Sequence, residues 1–62
     1  MLYSYTVNVS DRNGKIIADC YTTCHTYALE QARIFRKIFD GCQISIVEHK
    51  AIALEDNIIA TL

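Results

Sequence analysis

The stretch Tyr3-Ser4-Tyr5-Thr6-Val7-Asn8-Val9-Ser10-Asp11-Arg12-Asn13-Gly14-Lys15-Ile16-Ile17-Ala18-Asp19-Cys20-Tyr21-Thr22 decides the fold. Its first half alternates: Tyr3, Tyr5, Val7 and Val9 fall on one side of an extended chain, and Ser4, Thr6, Asn8 and Ser10 on the other. A period of two with apolar residues on one side is a half-buried strand. Asp11-Arg12-Asn13-Gly14 then predicts a reversal, because the Asp side chain can bond backbone two residues on and Asn and Gly tolerate the left-handed conformation. Lys15 to Thr22 is the return strand. A four-residue loop sets Val9 against Ile16, Val7 against Ala18 and Tyr5 against Cys20, with Ile16, Ala18 and Cys20 on the core side. A three-residue loop instead presents Ile17, Asp19 and Tyr21, which buries Asp19 without a partner. The first register is the expectation.

Outward from the hairpin, Thr26 is the expected N-cap of a helix over Tyr27 to Asp40 that stops at Gly41. At 100° per residue, Ala28, Ala32, Phe35 and Phe39 cluster within about 60°, with Leu29 at one edge, as a core stripe. A second apolar cluster, Tyr27, Ile34 and Ile38, lies roughly 110° away with Gln31 between the two. Charged residues Glu30, Arg33, Arg36, Lys37 and Asp40 fill the remaining arc. Past Gly41, Cys42, Ile44 and Ile46 alternate with Gln43, Ser45 and Val47 as a third strand, and the pattern extends toward Leu54. Glu55-Asp56-Asn57 resembles a turn. Ile58 to Leu62 fits a short strand or one helical turn, and the segment from Ile52 to Leu62 is also a candidate cover for the helix. These elements predict one α+β domain over residues 1–62, ββαβ with a possible fourth strand, its mostly antiparallel sheet carrying the helix on one face.

Composition narrows the function. The chain has 62 residues, 52% of them hydrophobic, a formal charge of −1 and no proline, with a mean hydropathy of +0.14 and an isoelectric point near 6.0. A chain this short buries only about 60% of its unfolded surface. Its apolar share therefore exceeds what one small core hides, and association follows. Near-zero charge gives no bulk attraction to phosphate backbones. The N-terminus has no basic, apolar signal sequence, and no apolar run approaches the roughly 18 to 20 residues of a membrane span. With an odd count of three cysteines, a reducing cytosol is the expected compartment.

Cys20, Cys24 and Cys42 with His25 or His49 form the one constellation that hints at chemistry. Thiolate and imidazole are zinc ligands, but the spacing matches no common zinc ribbon, and three residues between Cys20 and Cys24 are one too many for covalent haem attachment. Free thiols, no metal and no cofactor are the expectation. Cys24, just before the helix, would feel the positive end of its dipole as a thiolate, yet no oriented base can be placed beside it. There is no glycine-rich phosphate loop, and neither histidine has an identifiable acidic partner. No catalytic residue is expected. A nucleic-acid role for Tyr3, Tyr5 and Tyr21 conflicts with the core side assigned to two of them and with the acids interleaved among the helix cations.

The surplus apolar arc makes Tyr27, Ile34 and Ile38 the candidate interface, for a second copy or for a target protein, with an exposed strand edge, unguarded by proline, as the other contact surface the sequence offers. The order of Tyr-rich strand, Asp11-Arg12-Asn13-Gly14 turn, second strand, Thr26-Tyr27-Ala28-Leu29-Glu30-Gln31-Ala32 helix start and third strand from Cys42 to Val47 resembles several small phage-encoded proteins. Among these are anti-CRISPR proteins, a small phage inhibitor of bacterial RNA polymerase, and the dimeric phage inhibitor of uracil-DNA glycosylase. The likeness is one of architecture and size over about residues 3–48, with a fainter similarity to HicB-type antitoxins. It implies a cytoplasmic, non-enzymatic protein that dimerises and occupies a surface on a host protein or defence complex. Seven acids against six bases depart from the acidic excess of the members that mimic DNA. The alternative is a small metal- or nucleic-acid-binding module using Cys20, Cys24 and Cys42 with His25 or His49.

Overall fold

A computed structural model describes residues 3–50 and 56–62. The elements are β1 (Tyr3–Ser10), β2 (Ile16–Thr22), α1 (His25–Ile38), β3 (Gln43–Lys50) and β4 (Asp56–Thr61). The strands form one antiparallel sheet in the order β2-β1-β3-β4. The helix packs on β1, β2 and β3. This is the α+β arrangement that the alternation and the helical stripe predict, with the fourth strand present. Asp56 and Asn57, expected in a turn, belong to β4 and pair with His49 and Glu48. Glu55 and the rest of the segment from Ile52 to Leu54 lie outside the described residues.

The core consists of Tyr5, Val7 and Val9 from β1, Ala28 and Ala32 from α1, and Ile44 and Ile46 from β3. β1 and β3 supply the large side chains because they are the two central strands, and the alanines let the helix backbone approach them closely. Leu29, Phe35 and Phe39 pack against this cluster. The two phenylalanine rings meet edge to face, with centroids 5.8 Å apart, an arrangement that their quadrupoles favour.

The hairpin differs from its expected register, and the reason is local. The Asp11 carboxylate accepts hydrogen bonds from the backbone N–H groups of Asn13 (2.9 Å) and Lys15 (3.0 Å). Asp11 N–H donates to the Lys15 carbonyl, and Gly14 N–H to that of Asp11. Gly14 adopts φ +81°, the left-handed conformation that closes a three-residue loop. Ser10 therefore faces Ile16. Left alone, this register would bury Asp19. A bulge between Ser10 and Val9 restores the parity, so that Val9 faces Ala18, Val7 faces Cys20 and Tyr5 faces Thr22. Ala18 and Cys20 accordingly reach the core side as expected, while Ile16 does not. It shares a face with Ser10 and is 54% exposed, the correction that the bulge imposes.

The helix starts earlier than expected. Cys24, extended at φ −105° and ψ 119°, is the N-cap and offers no side-chain cap, whereas Thr26 lies inside the first turn. Thr22 Oγ1 accepts a hydrogen bond from Cys24 N–H (3.1 Å), and the Cys24 carbonyl takes the first helical bond from Ala28 N–H. The threonine two residues upstream thus turns the chain out of β2, and the helix begins as soon as it can. At the other end the helix stops at Ile38, with Phe39 as C-cap. Arg36 and Lys37 in the last turn complement the negative end of the dipole.

Candidate protein interface

Three apolar side chains of α1 have no cover among the described residues. Tyr27 and Ile34 are each about half exposed, and Ile38 is 64% exposed. Spaced by seven and four residues, they line one side of the helix at about 20° intervals. Burying Ala28, Ala32, Phe35 and Phe39 against the sheet turns this second stripe away from the sheet. Cover by the tail is not what the described C-terminal residues supply. Beyond β3, β4 continues the sheet, and Leu62 extends the ladder by donating to the Ile44 carbonyl (2.7 Å) and accepting from Ile44 N–H (3.3 Å). Among the described side chains of β4, only Ala60 packs on the core. One helix is about 10 Å wide and strands lie about 4.8 Å apart, so α1 does not reach across a fourth strand.

The sheet face opposite the helix is also open. Cross-strand pairing sets Tyr21, Thr6, Val47 and Ile58 in one row over all four strands. Tyr21 and Ile58, at the two ends, are both about two-thirds exposed. Tyr3 and Tyr5 face the helix instead, so the three tyrosines of β1 and β2 do not form one stacking platform. No cation lies in the open row.

The proposed metal ligands are dispersed by the sheet. Cys20 faces Val7 on the helix side of β2. Cys24 is exposed at the helix start, and Cys42 is half-buried before β3. His25 meets the Tyr5 ring edge to face at 5.2 Å, on the helix side, whereas His49 faces Ser4 on the open side. Among the described residues no three His, Cys, Asp or Glu side chains gather in a way that could hold a metal ion.

Two polar pairings emerge that sequence spacing alone does not reveal. On the helix side Tyr5 faces Glu48, and burial first, then the Glu48 carboxylate, pushes the phenol's pKa up. On the open side Thr6 Oγ1 and His49 Nε2 are hydrogen-bonded at 2.8 Å. The hydroxyl can donate or accept, so this bond orients the imidazole in either tautomer. Register also pairs His49 with Asp56 along the β3–β4 ladder. The only available signal was the period-two pattern of β3 beyond Val47, which put His49 on the Ser4 and Thr6 side.

No protein-family model matches the chain, and neither a curated protein nor a solved structure does. Among the described residues no helix is long and apolar enough to cross a membrane.

Proposed function

We propose that this chain is a non-enzymatic interaction module, a phage or mobile-element protein that dimerises and inhibits a host protein or defence complex in the bacterial cytosol by occupying its surface. The observation that carries this reading is the exposed stripe Tyr27, Ile34 and Ile38 on α1, which β4 leaves uncovered. A contiguous exposed apolar stripe on so small a domain is the signature of a contact surface. Its chemistry suits a target with an apolar groove, because helix side chains spaced i, i+7 and i+11 along one side match the helix-in-groove mode of recognition. The balance of seven acids and six bases favours a block by shape and apolar contact over imitation of nucleic acid.

The test is a pull-down from bacterial lysate with the wild-type chain and Ile34→Asp, each checked for folding by circular dichroism. Wild type is expected to retain a stoichiometric host protein that folded Ile34→Asp loses. Equal retention by both would reject the helix stripe as the binding surface.

A further inference from the structure

We infer that two copies of this chain pair through α1, antiparallel about a two-fold axis, with Tyr27 of one helix against the partner's Ile38 and Gln31 against the partner's Ile34. The inference rests on the proposed role of the helix stripe and names an occupant for it: a second copy and a target's apolar groove compete for the same residues.

Tyr27, Gln31, Ile34 and Ile38 are separated by four, three and four residues, the spacing of a coiled-coil seam. Three of them are exposed apolar side chains, and Gln31 between them is half-buried. On one flank of this seam stand Ala28 and Phe35, which belong to the core side of the helix. On the other stand two charges, Glu30 and Lys37, both exposed. At 100° per residue they lie about 70–90° from the middle of the seam, whereas Arg33, Arg36 and Asp40 are carried farther round. Glu30 and Lys37 are thus the charges that a helix seated on the stripe meets.

These two charges are opposite in sign and one heptad apart, and that arrangement selects both the occupant and its register. In an antiparallel helix pair the residues flanking the seam on its outer side meet their counterparts on the other helix. The two-fold axis that overlaps the whole seam sets Glu30 beside the partner's Lys37 and, by symmetry, Lys37 beside the partner's Glu30. The neighbouring antiparallel registers are displaced by one heptad. One sets Glu30 against the partner's Glu30 and leaves Ile34 and Ile38 uncovered; the other sets Lys37 against the partner's Lys37 and leaves Tyr27 and Gln31 uncovered. A parallel pair brings Glu30 beside the partner's Phe35 and Lys37 past the end of the partner's helix, with no charge to meet. Full antiparallel overlap therefore satisfies the apolar seam and both charges at once. The seam is short and holds a polar residue, which fixes register at a cost in affinity, so a target groove can displace the second copy.

Analytical ultracentrifugation of the intact chain from low to high micromolar concentration, at low salt, tests the pairing, with folding of every variant checked by circular dichroism. Wild type is expected to dimerise as concentration rises. Glu30→Lys and Lys37→Glu should each weaken the dimer about tenfold, because two attractions become two repulsions, and the Glu30→Lys/Lys37→Glu double variant should restore it. Folded Ile34→Asp should be monomeric. A wild-type monomer throughout, a dimer indifferent to the single reversals, a double variant no tighter than the singles, or a dimer that survives Ile34→Asp would each overturn the pairing. If Ile34→Asp does not fold, the charge series decides alone. A monomeric wild type that still loses its host protein on Ile34→Asp leaves the target reading standing. A dimer restored by the charge swap, whose folded Ile34→Asp variant captures the host protein as well as wild type does, rejects the target reading alone.

Discussion

Tyr5 and Glu48 face each other across the central β1–β3 pair, with the phenol in the core and the carboxylate half-buried beside it. Burial, then the charge of Glu48, raises the Tyr5 pKa above its ordinary value. The neutral phenol is thus the form the fold accepts. This follows from placing a hydroxyl-bearing ring on the most buried strand, where it also meets the His25 ring in an edge-to-face contact.

A folded pKa raised above the unfolded one means that the native state keeps a proton which the unfolded chain releases. The contribution is complete below about pH 10, the ordinary tyrosine value, and is lost as pH rises through the higher folded value. Urea midpoints of wild type and Tyr5→Phe, measured from neutral pH to beyond pH 10, should show wild type losing stability on the alkaline side and Tyr5→Phe losing less. Parallel curves would show that Tyr5 ionises alike in both states.

Ala32 is fully buried between α1 and the sheet, and its small size sets the distance of closest approach. Ala32→Leu is expected to cost about 1–3 kcal/mol by overpacking. Against a total stability of roughly 3–9 kcal/mol for a chain of this length, that is a large fraction. Ile38→Ala, on the exposed stripe, should stay within about 0.5 kcal/mol of wild type in the monomer. Thermal and urea denaturation of both variants compare the two faces of one helix directly.

Thr6→Val keeps the β-branched shape that suits β1 but removes the hydroxyl bonded to His49 Nε2. A loss of about 1 kcal/mol is expected, along with altered imidazole nitrogen shifts in the NMR spectrum of His49. Thr6→Ser, which retains the hydroxyl, should preserve the wild-type shifts. Unchanged shifts in Thr6→Val would mean that the hydroxyl does not orient the ring.

Much of this architecture was legible along the chain because its signals are local. Period-two alternation identified β1 and the start of β3, and the turn residues Asp11 to Gly14 placed the hairpin. The wheel separated Ala28, Ala32, Phe35 and Phe39, which face the sheet, from Tyr27, Ile34 and Ile38, which do not. Each of these depends only on which side of one element a residue occupies, and backbone geometry imposes that from the linear order of residues.

Tertiary structure decided what depends on neighbours distant in sequence. Three central turn residues close the hairpin, yet Asp19 must stay out of the core, and the bulge beside Ser10 reconciles the two at the expense of burying Ile16. Residues 56–61 form a strand because β3 offers an unpaired edge, not because their own pattern demands it. Tyr5 with Glu48 and Thr6 with His49 are more than forty residues apart and meet only through the β1–β3 register. The sequence by itself determined which residues are apolar, which of them share a face, and that there were more of them than a small core holds. Only the packed sheet decided where the surplus lies, because a helix that covers three strands leaves its own outer stripe and the fourth strand's edge without a partner.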